Sequence, residues 1–206
     1  MKNVKFIFIA YALLSVLAAQ AQSVGNVGFG GNFMGSSKIV IQGAENHGVL
    51  YENVYQPLVG GTVFYETIQG GMTHLLEVSY LMGKLKDVEQ GDYYLEGWDT
   101  STFQPLKAFS LFYYGGGTFG AGNRLQIPLY LGIGVINTSA EPIKTWSYNI
   151  GAKARVKFYL TDRIGVFAGA NWKRGLGNVK VNVNETRGTS QRYLGIEAGV
   201  TFSLSK

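Results

Sequence analysis

The sequence predicts an all-β protein, a single eight-stranded antiparallel up-and-down β-barrel whose strands cross a membrane. The first observation is composition. Of 206 residues, 29 are Gly, 14% are aromatic and only 15% are charged, whereas soluble domains average about 25% charged residues and about 7% Gly. The second is an apolar–polar alternation with a period of two residues, while helical periodicity is scarce. The third is length, because most candidate strands reach the roughly 9–11 residues that a tilted transmembrane strand needs, against about five or six in soluble proteins.

The N-terminus is typical of an export signal. Lys2 and Lys5 precede an apolar run over residues 6–19, which leads into Ala19-Gln20-Ala21. A charged segment, an apolar segment and small residues around a cleavage position define a signal peptide. The alternative, a membrane helix, needs roughly 20 apolar residues, and this run is shorter. We therefore expect residues 1–21 to be a signal peptide and residues 22–206 to form the barrel.

The chain contains no Cys. This excludes a disulfide framework, a thiolate nucleophile, a Cys-based zinc site and a lipid-anchored lipoprotein. Because we expect the chain to be exported, we do not expect nucleic acid as a partner.

The alternation marks the strands. It is clearest over 125–135, 148–158 and 194–204, where Leu, Ile, Val, Ala and Phe occupy one face and polar residues or Gly the other. Applied to the whole chain, the same criterion predicts strands at 24–33, 57–66, 72–83, 105–115, 124–136, 146–159, 164–173 and 191–204.

The predicted connections alternate in length. Longer links at 34–56, 84–104, 137–145 and 174–190 alternate with shorter ones at 67–71, 116–123 and 160–163. Bacterial outer-membrane barrels have this arrangement, with short periplasmic turns and longer outer loops.

The charges indicate which face meets lipid. Glu77, Lys153, Arg155 and Glu197 fall in mid-strand on the polar face, and the opposite face stays uncharged. Aromatic residues gather at strand ends, as an interfacial girdle would: Phe33, Tyr113, Trp146, Phe158, Trp172 and Phe202. We therefore expect the apolar face to point outward. A soluble lipocalin-like barrel, with its apolar face inward, is the alternative.

The segments 124–135, 159–166 and 193–204 resemble the small outer-membrane β-barrels of Gram-negative bacteria: the OmpX type, the OmpA transmembrane domain and the PorT-like group. The resemblance implies the cell outer membrane as location and insertion by the barrel-assembly machinery. Such barrels often end on an aromatic residue that this machinery recognises. Here four residues follow Phe202, and Phe202 is the equivalent that the resemblance implies as a C-terminal insertion signal.

An eight-stranded barrel leaves an interior that side chains can fill, so a diffusion pore is not expected. Unpaired charges in such an interior are costly. We therefore expect Glu77, Lys153, Arg155 and Glu197 to pair across the lumen as a structural ion cluster. The alternative is a gated ion path.

The predicted outer loops carry opposite charges. Residues 84–102 hold two basic and five acidic side chains, whereas residues 173–190 hold four basic side chains and one acidic. Lys173, Arg174, Lys180 and Arg187 form this basic outer loop, which we expect to contact outer-membrane lipid through lipopolysaccharide phosphates. The alternative is that the two loops are solvated or pair with each other. The alternating valines within 176–188 also suggest a hairpin that could recruit a surface protein partner by strand addition.

Catalytic, cofactor and metal sites are not predicted. The only histidines are His47 and His74, and neither stands in the His-x-Ser pattern of lipid A deacylases. His47 with Asp99 and Ser101 could imitate a palmitoyltransferase site. Residues 115–120 match G-x-G-x-x-G, but a strand and not a helix follows, which favours a glycine-rich periplasmic turn.

The function that the sequence favours is a non-enzymatic outer-membrane protein whose surface loops serve envelope integrity, adhesion or partner contact. The alternatives are an accessory barrel of a secretion or assembly machine, which only the PorT-like resemblance suggests, and a lipid A acyl-modifying enzyme.

Overall fold

The computed structural model describes residues 24–42, 49–55, 57–83, 85–90, 106–140, 143–182 and 185–204. These form ten β-strands: β1 (Val24–Gln42), β2 (Val49–Tyr55), β3 (Leu58–Gln69), β4 (Met72–Gly83), β5 (Leu85–Gln90), β6 (Leu106–Phe119), β7 (Leu125–Ala140), β8 (Ile143–Tyr159), β9 (Ile164–Asn182) and β10 (Glu185–Ser203). Among these residues no helix has the length and apolarity to cross a membrane. The predicted signal peptide, residues 1–21, lies outside the described residues.

The ten strands build an eight-stranded barrel because two of them are continuations. β1 pairs with β3 as far as Met34 and with β2 from Ser37 onward, so β2 extends β3. β5 pairs with β2 and extends β4 in the same way. The order is otherwise sequential, every pair is antiparallel, and β10 pairs with β1 to close the sheet. The predicted fold class, a closed eight-stranded up-and-down barrel, is confirmed.

The three short turns lie at one end of the barrel, together with the start of β1 and the end of β10. We call this the turn end and the opposite end the loop end. Gly70 and Gly71 form a two-residue hairpin turn with φ of 56° and 83°, as a type I′ turn requires at both central positions. Gly120 and Gly122 also have positive φ, at 73° and 82°. In the third turn the Thr161 hydroxyl accepts hydrogen bonds from the backbone N–H groups of Arg163 and Ile164, at 3.2 and 3.0 Å.

Several strands run further than predicted at the loop end. β1 reaches residue 42, β7 residue 140 and β9 residue 182, although the sequence predicted loops from 34, 137 and 174. The reason is that backbone pairing continues where the apolar alternation stops, and β9 and β10 stay in register from Gly165 to Lys180. The glycine-rich turn predicted at 115–120 is also wrong in extent. Residues 115–119 belong to β6, and the turn occupies 120–124.

The core of the molecule is the barrel lumen. Phe112 and Tyr114 stack there at 5.3 Å between ring centroids. They lie over Gly132 and Gly134 of β7, where a Cβ atom would collide with their rings. Nearer the loop end, the lumen is crossed by a layer of buried apolar side chains: Met34, Leu58, Leu81, Leu106, Ala108 and Ile136.

Candidate functional site

An ion-pair network occupies the middle of the lumen, and Glu77 of β4 is its hub. Its carboxylate accepts hydrogen bonds from Lys153 and, at 3.1 Å, from Nη2 of Arg155, both on β8. Lys173 of β9 reaches the other carboxylate oxygen at 3.3 Å. All four side chains are at most 4% exposed. One carboxylate therefore contacts three cations on two strands.

Glu197 of β10 completes this central cluster from the opposite wall. It accepts hydrogen bonds from Lys153 at 2.8 Å and from Nε of Arg155 at 2.5 Å. The intervening strand β9 places Gly169 directly between Arg155 and Glu197 in register. A Cβ at Gly169 would press on the Arg155 side chain, so this glycine leaves the space in which Arg155 and Glu197 meet. The structure thus brings together all four residues of the predicted ion cluster.

A second cluster lies nearer the turn end, around Glu66 of β3. The Glu66 carboxylate pairs with Lys157 and accepts a hydrogen bond from the Tyr130 hydroxyl. Asn26 donates its amide N–H to the same carboxylate at 3.1 Å and accepts from the Tyr159 hydroxyl at 3.3 Å. Glu66 and Lys157 are fully buried, so each depends on the other to satisfy its charge.

The sequence prediction missed this turn-end cluster, although a signal was present. Lys157 shares the face of Lys153 and Arg155 by the two-residue period of β8, and Glu66 shares that of Thr62 on β3. Because the predicted range of that strand ended at residue 66, Glu66 fell at a strand end instead of in mid-strand.

Aromatic rings surround the central cations. The guanidinium carbon of Arg155 lies 4.2 Å from the Phe64 ring centroid and 4.7 Å from that of Phe167. Lys173 Nζ lies 4.5 Å from the Phe112 ring centroid. Such cation–π contacts strengthen when water is excluded. The rings also fill the space around the ion pairs, which leaves the cluster packed inside the barrel.

A group of neutral polar side chains on β7, β8 and β10 lies on the loop side of the central cluster, beside the apolar layer. The Gln191 side-chain oxygen accepts hydrogen bonds from Ser147 at 3.0 Å, Tyr193 at 3.2 Å and Thr138 at 3.3 Å. Asn149 donates to the Ser147 hydroxyl at 2.7 Å. From turn end to loop end, the described inward side chains therefore form the turn-end ion cluster, the central ion cluster, and a level shared by the amide–hydroxyl group and the apolar layer.

The predicted basic outer loop is not one structural unit. Lys173 lies inside the barrel and pairs with Glu77, so its assignment to a loop is wrong: β9 continues through it and its position faces the lumen. Arg174, the next residue, is exposed on the outer face. Lys180 and Arg187 lie in the paired ends of β9 and β10, and their side chains are outside the described part of the structure.

The remaining predicted positions lie on the outer face or outside the described residues. Phe202 points outward at the turn end and stacks on Phe29 with 6.1 Å between ring centroids. The His74 imidazole Nδ1 is 2.7 Å from the Tyr113 hydroxyl, on the outer side of β4 and β6. His47, Asp99 and Ser101 are not among the described residues. In the part of the chain that is described, no group of His, Cys, Asp and Glu side chains is placed to hold a metal ion.

The outer face of the barrel is an uncharged band between two levels of charge. On the loop side, the outward charged residues that the structure describes are Lys107, Lys144, Arg174 and Arg192; on the turn side they are Arg124, Asp162 and Arg163. Exposed apolar side chains cover the surface between them, including Leu131 at 73% and Ile150 at 56%. The lipocalin-like alternative is therefore excluded, because the apolar faces point outward.

Aromatic side chains bound this band on β8. Tyr148 and Phe158 are exposed on the same face, ten residues apart. Ten residues correspond to roughly 33 Å of strand, which a tilt of about 40° reduces to about 25 Å, the height of the lipid-facing band in outer-membrane barrels.

Comparison with known proteins yields structural neighbours only. No protein-family model and no curated protein matches the sequence. The outer membrane protein OprG from Pseudomonas aeruginosa aligns with a TM-score of 0.61 at 9% identity, covering 89% of this chain and 97% of that chain. The fold is that of a small outer-membrane β-barrel. A major outer membrane protein from Thermus thermophilus aligns with a TM-score of 0.54 at 12% identity, covering 89% of this chain and 100% of that chain. At these identities the likeness concerns the fold alone, and in fold it agrees with the resemblance drawn from the sequence.

Proposed function

We propose that this protein is a non-enzymatic barrel of the bacterial outer membrane that presents the loops at its loop end on the cell surface. One observation carries the proposal: ionised side chains lie inside the barrel, and the outer face between its two charged levels is apolar. This distribution is the reverse of a soluble barrel and suits a wall surrounded by lipid.

The filled lumen supports a presenting role over a transporting one. Glu77 and Glu197 are bridged by Lys153 and Arg155 across the barrel. The apolar layer and the amide–hydroxyl group around Gln191 then cover this cluster on the loop side. An ion crossing this path would have to separate buried ion pairs, which is costly.

The segments that meet at the loop end differ from one another in chemistry. The acidic segment 84–102, which includes β5, leads from β4 to β6 there, and the β9–β10 hairpin ends there. Loops held by a rigid scaffold are the usual place for binding functions. We assign contact with an extracellular or envelope partner to this end, with the short turns in the periplasm.

Cysteine labelling tests both the membrane location and the orientation, because the natural chain has no Cys. Three single variants are needed: Asp92→Cys in the predicted outer loop, Asp162→Cys in an exposed turn, and Leu131→Cys on the outer face. Each is treated with a membrane-impermeant maleimide in intact and in permeabilised cells.

The proposal predicts that D92C is labelled in intact cells, D162C only after permeabilisation, and L131C only after denaturation. Labelling of L131C in the native protein would overturn the lipid-facing wall. Labelling of D162C but not D92C in intact cells would overturn the orientation.

A further inference from the structure

A groove of about 570 Å³ lies on the outer face of the barrel, lined by residues of β6 to β10. Its floor is low over β8 and β9 because the outward residues there are small: Ala152, Ala154 and Ala170. Leu129 and Leu131 rise on one side, and Trp172 and Leu194 on the other. The leucines belong to β7, and Trp172 and Leu194 to β9 and β10, so the groove between these two walls follows β8. It is apolar and bounded on both sides, which suits a fatty acyl chain.

Two arginines stand at the loop-side end of this groove. Arg174 follows Trp172 by two residues on β9, and Arg192 precedes Leu194 by two residues on β10, so each lies about 6.6 Å further along its strand. The register places Arg174 and Arg192 directly opposite each other, and both are exposed on the outer face.

Two positive charges held opposite each other favour the binding of an anion. Like charges directly opposite on neighbouring strands destabilise a sheet. Among the side chains that the structure describes, no carboxylate pairs with Arg174 or Arg192. A phosphate between the two guanidinium groups would accept hydrogen bonds from both, in the bidentate geometry that arginine favours.

We propose that this part of the wall is a binding site for one molecule of lipid A, the phosphorylated, multiply acylated lipid of the outer leaflet. A phosphate of the lipid binds between Arg174 and Arg192, and one acyl chain lies in the groove over Ala152, Ala154 and Ala170. One molecule can supply both the anion and the apolar chain, because the basic pair and the groove meet at Trp172 and Leu194. The inference rests on the proposed outer-membrane location and adds a specific ligand to it.

The test uses the purified mature barrel in phosphatidylcholine nanodiscs, with bis-phosphorylated lipid A as the added probe. Binding is measured by native mass spectrometry after release and by quenching of tryptophan fluorescence with a bromine-labelled acyl chain. Each cation near anionic headgroups contributes about 1 kcal/mol. Arg174→Gln with Arg192→Gln should therefore weaken binding about thirtyfold, and either change alone about fivefold.

Two further variants separate the parts of the site. Ala154→Leu fills the groove floor and should lower lipid A binding while leaving the arginines in place. Lys107→Gln is the matched control, since Lys107 is an exposed loop-side cation on β6 away from the arginine pair, and it should bind as the natural chain does.

Four results would overturn the proposal: equal binding by the natural chain and the double arginine variant, equal binding of dephosphorylated lipid A, displacement of lipid A by millimolar inorganic phosphate alone, and dimers in the nanodisc that A154L dissociates. The last would assign the groove to a second copy of this chain. Because binding is measured in nanodiscs and location by cysteine labelling in cells, failure of one is distinguishable from failure of the other.

Discussion

Replacing Glu77 with Gln tests the central ion cluster most severely. The change keeps the size of the side chain, removes its charge and replaces one acceptor oxygen with an NH2 donor. Glu77 bonds to Lys153, Arg155 and Lys173. In the variant, the cations of the central cluster keep Glu197 as their one described carboxylate partner within it.

The expected loss follows from burial. Breaking a buried pair by removing one partner costs about 3–5 kcal/mol, because the remaining charge is left uncompensated. For a chain of 150–250 residues, each kcal/mol shifts the unfolding midpoint by about 2–4 °C. We therefore expect E77Q to lower the midpoint by roughly 6–20 °C.

The assay follows the folded and unfolded bands on gels of samples heated stepwise in detergent. Asp162→Asn is the matched control: it makes the same chemical change in an exposed turn, where substitutions usually alter stability by less than about 0.5 kcal/mol. Adding Lys173→Met to E77Q should recover part of the loss, because it removes one of the uncompensated cations. A midpoint within about 2 °C of the natural chain for E77Q would refute the reasoning, as would a further loss on adding K173M.

Three further predictions address the turn-end cluster, the wall and a turn. Glu66→Gln should also cost about 3–5 kcal/mol in stepwise unfolding, and adding Lys157→Met should recover most of it, because an apolar replacement of a whole buried pair is often neutral; no recovery would contradict the pairing. Leu131→Arg should destabilise the barrel in lipid vesicles by about 2–4 kcal/mol, whereas an unchanged denaturant midpoint would mean that this exposed leucine meets water. Gly71→Val should cost about 1–2 kcal/mol because its φ of 83° disfavours a side chain, and a neutral result would contradict the turn geometry.

The fold could be predicted because a membrane barrel imposes the same two-residue period on every strand. The faces of β7, β8 and β10 followed directly from it, and so did the inward direction of Glu77, Lys153, Arg155 and Glu197. The ends of the strands were harder to predict from the sequence. On the loop side of the apolar band, both faces of the strands are polar. β9 continues to Asn182 through backbone pairing, which the composition does not reveal.

The errors in the site have the same origin. The sequence places Lys173 in a loop because the visible alternation ends there. Residue 173 nevertheless faces inward, as Asn171 two residues earlier does. Glu66 was missed at the opposite end for the same reason. The groove and the Arg174–Arg192 pair depend on register between strands, since small residues on β8 and β9 become one surface only when the pairing is known.

Heating of isolated outer membranes tests most directly the central claim, that this chain is a closed barrel of the outer membrane. Membranes from cells producing the natural chain are separated by density, and the outer-membrane fraction is run on a denaturing gel with and without boiling. The account predicts the protein in that fraction, with the unboiled band migrating differently because the closed barrel resists detergent. Recovery from the soluble periplasm, with one band under both conditions, would contradict it.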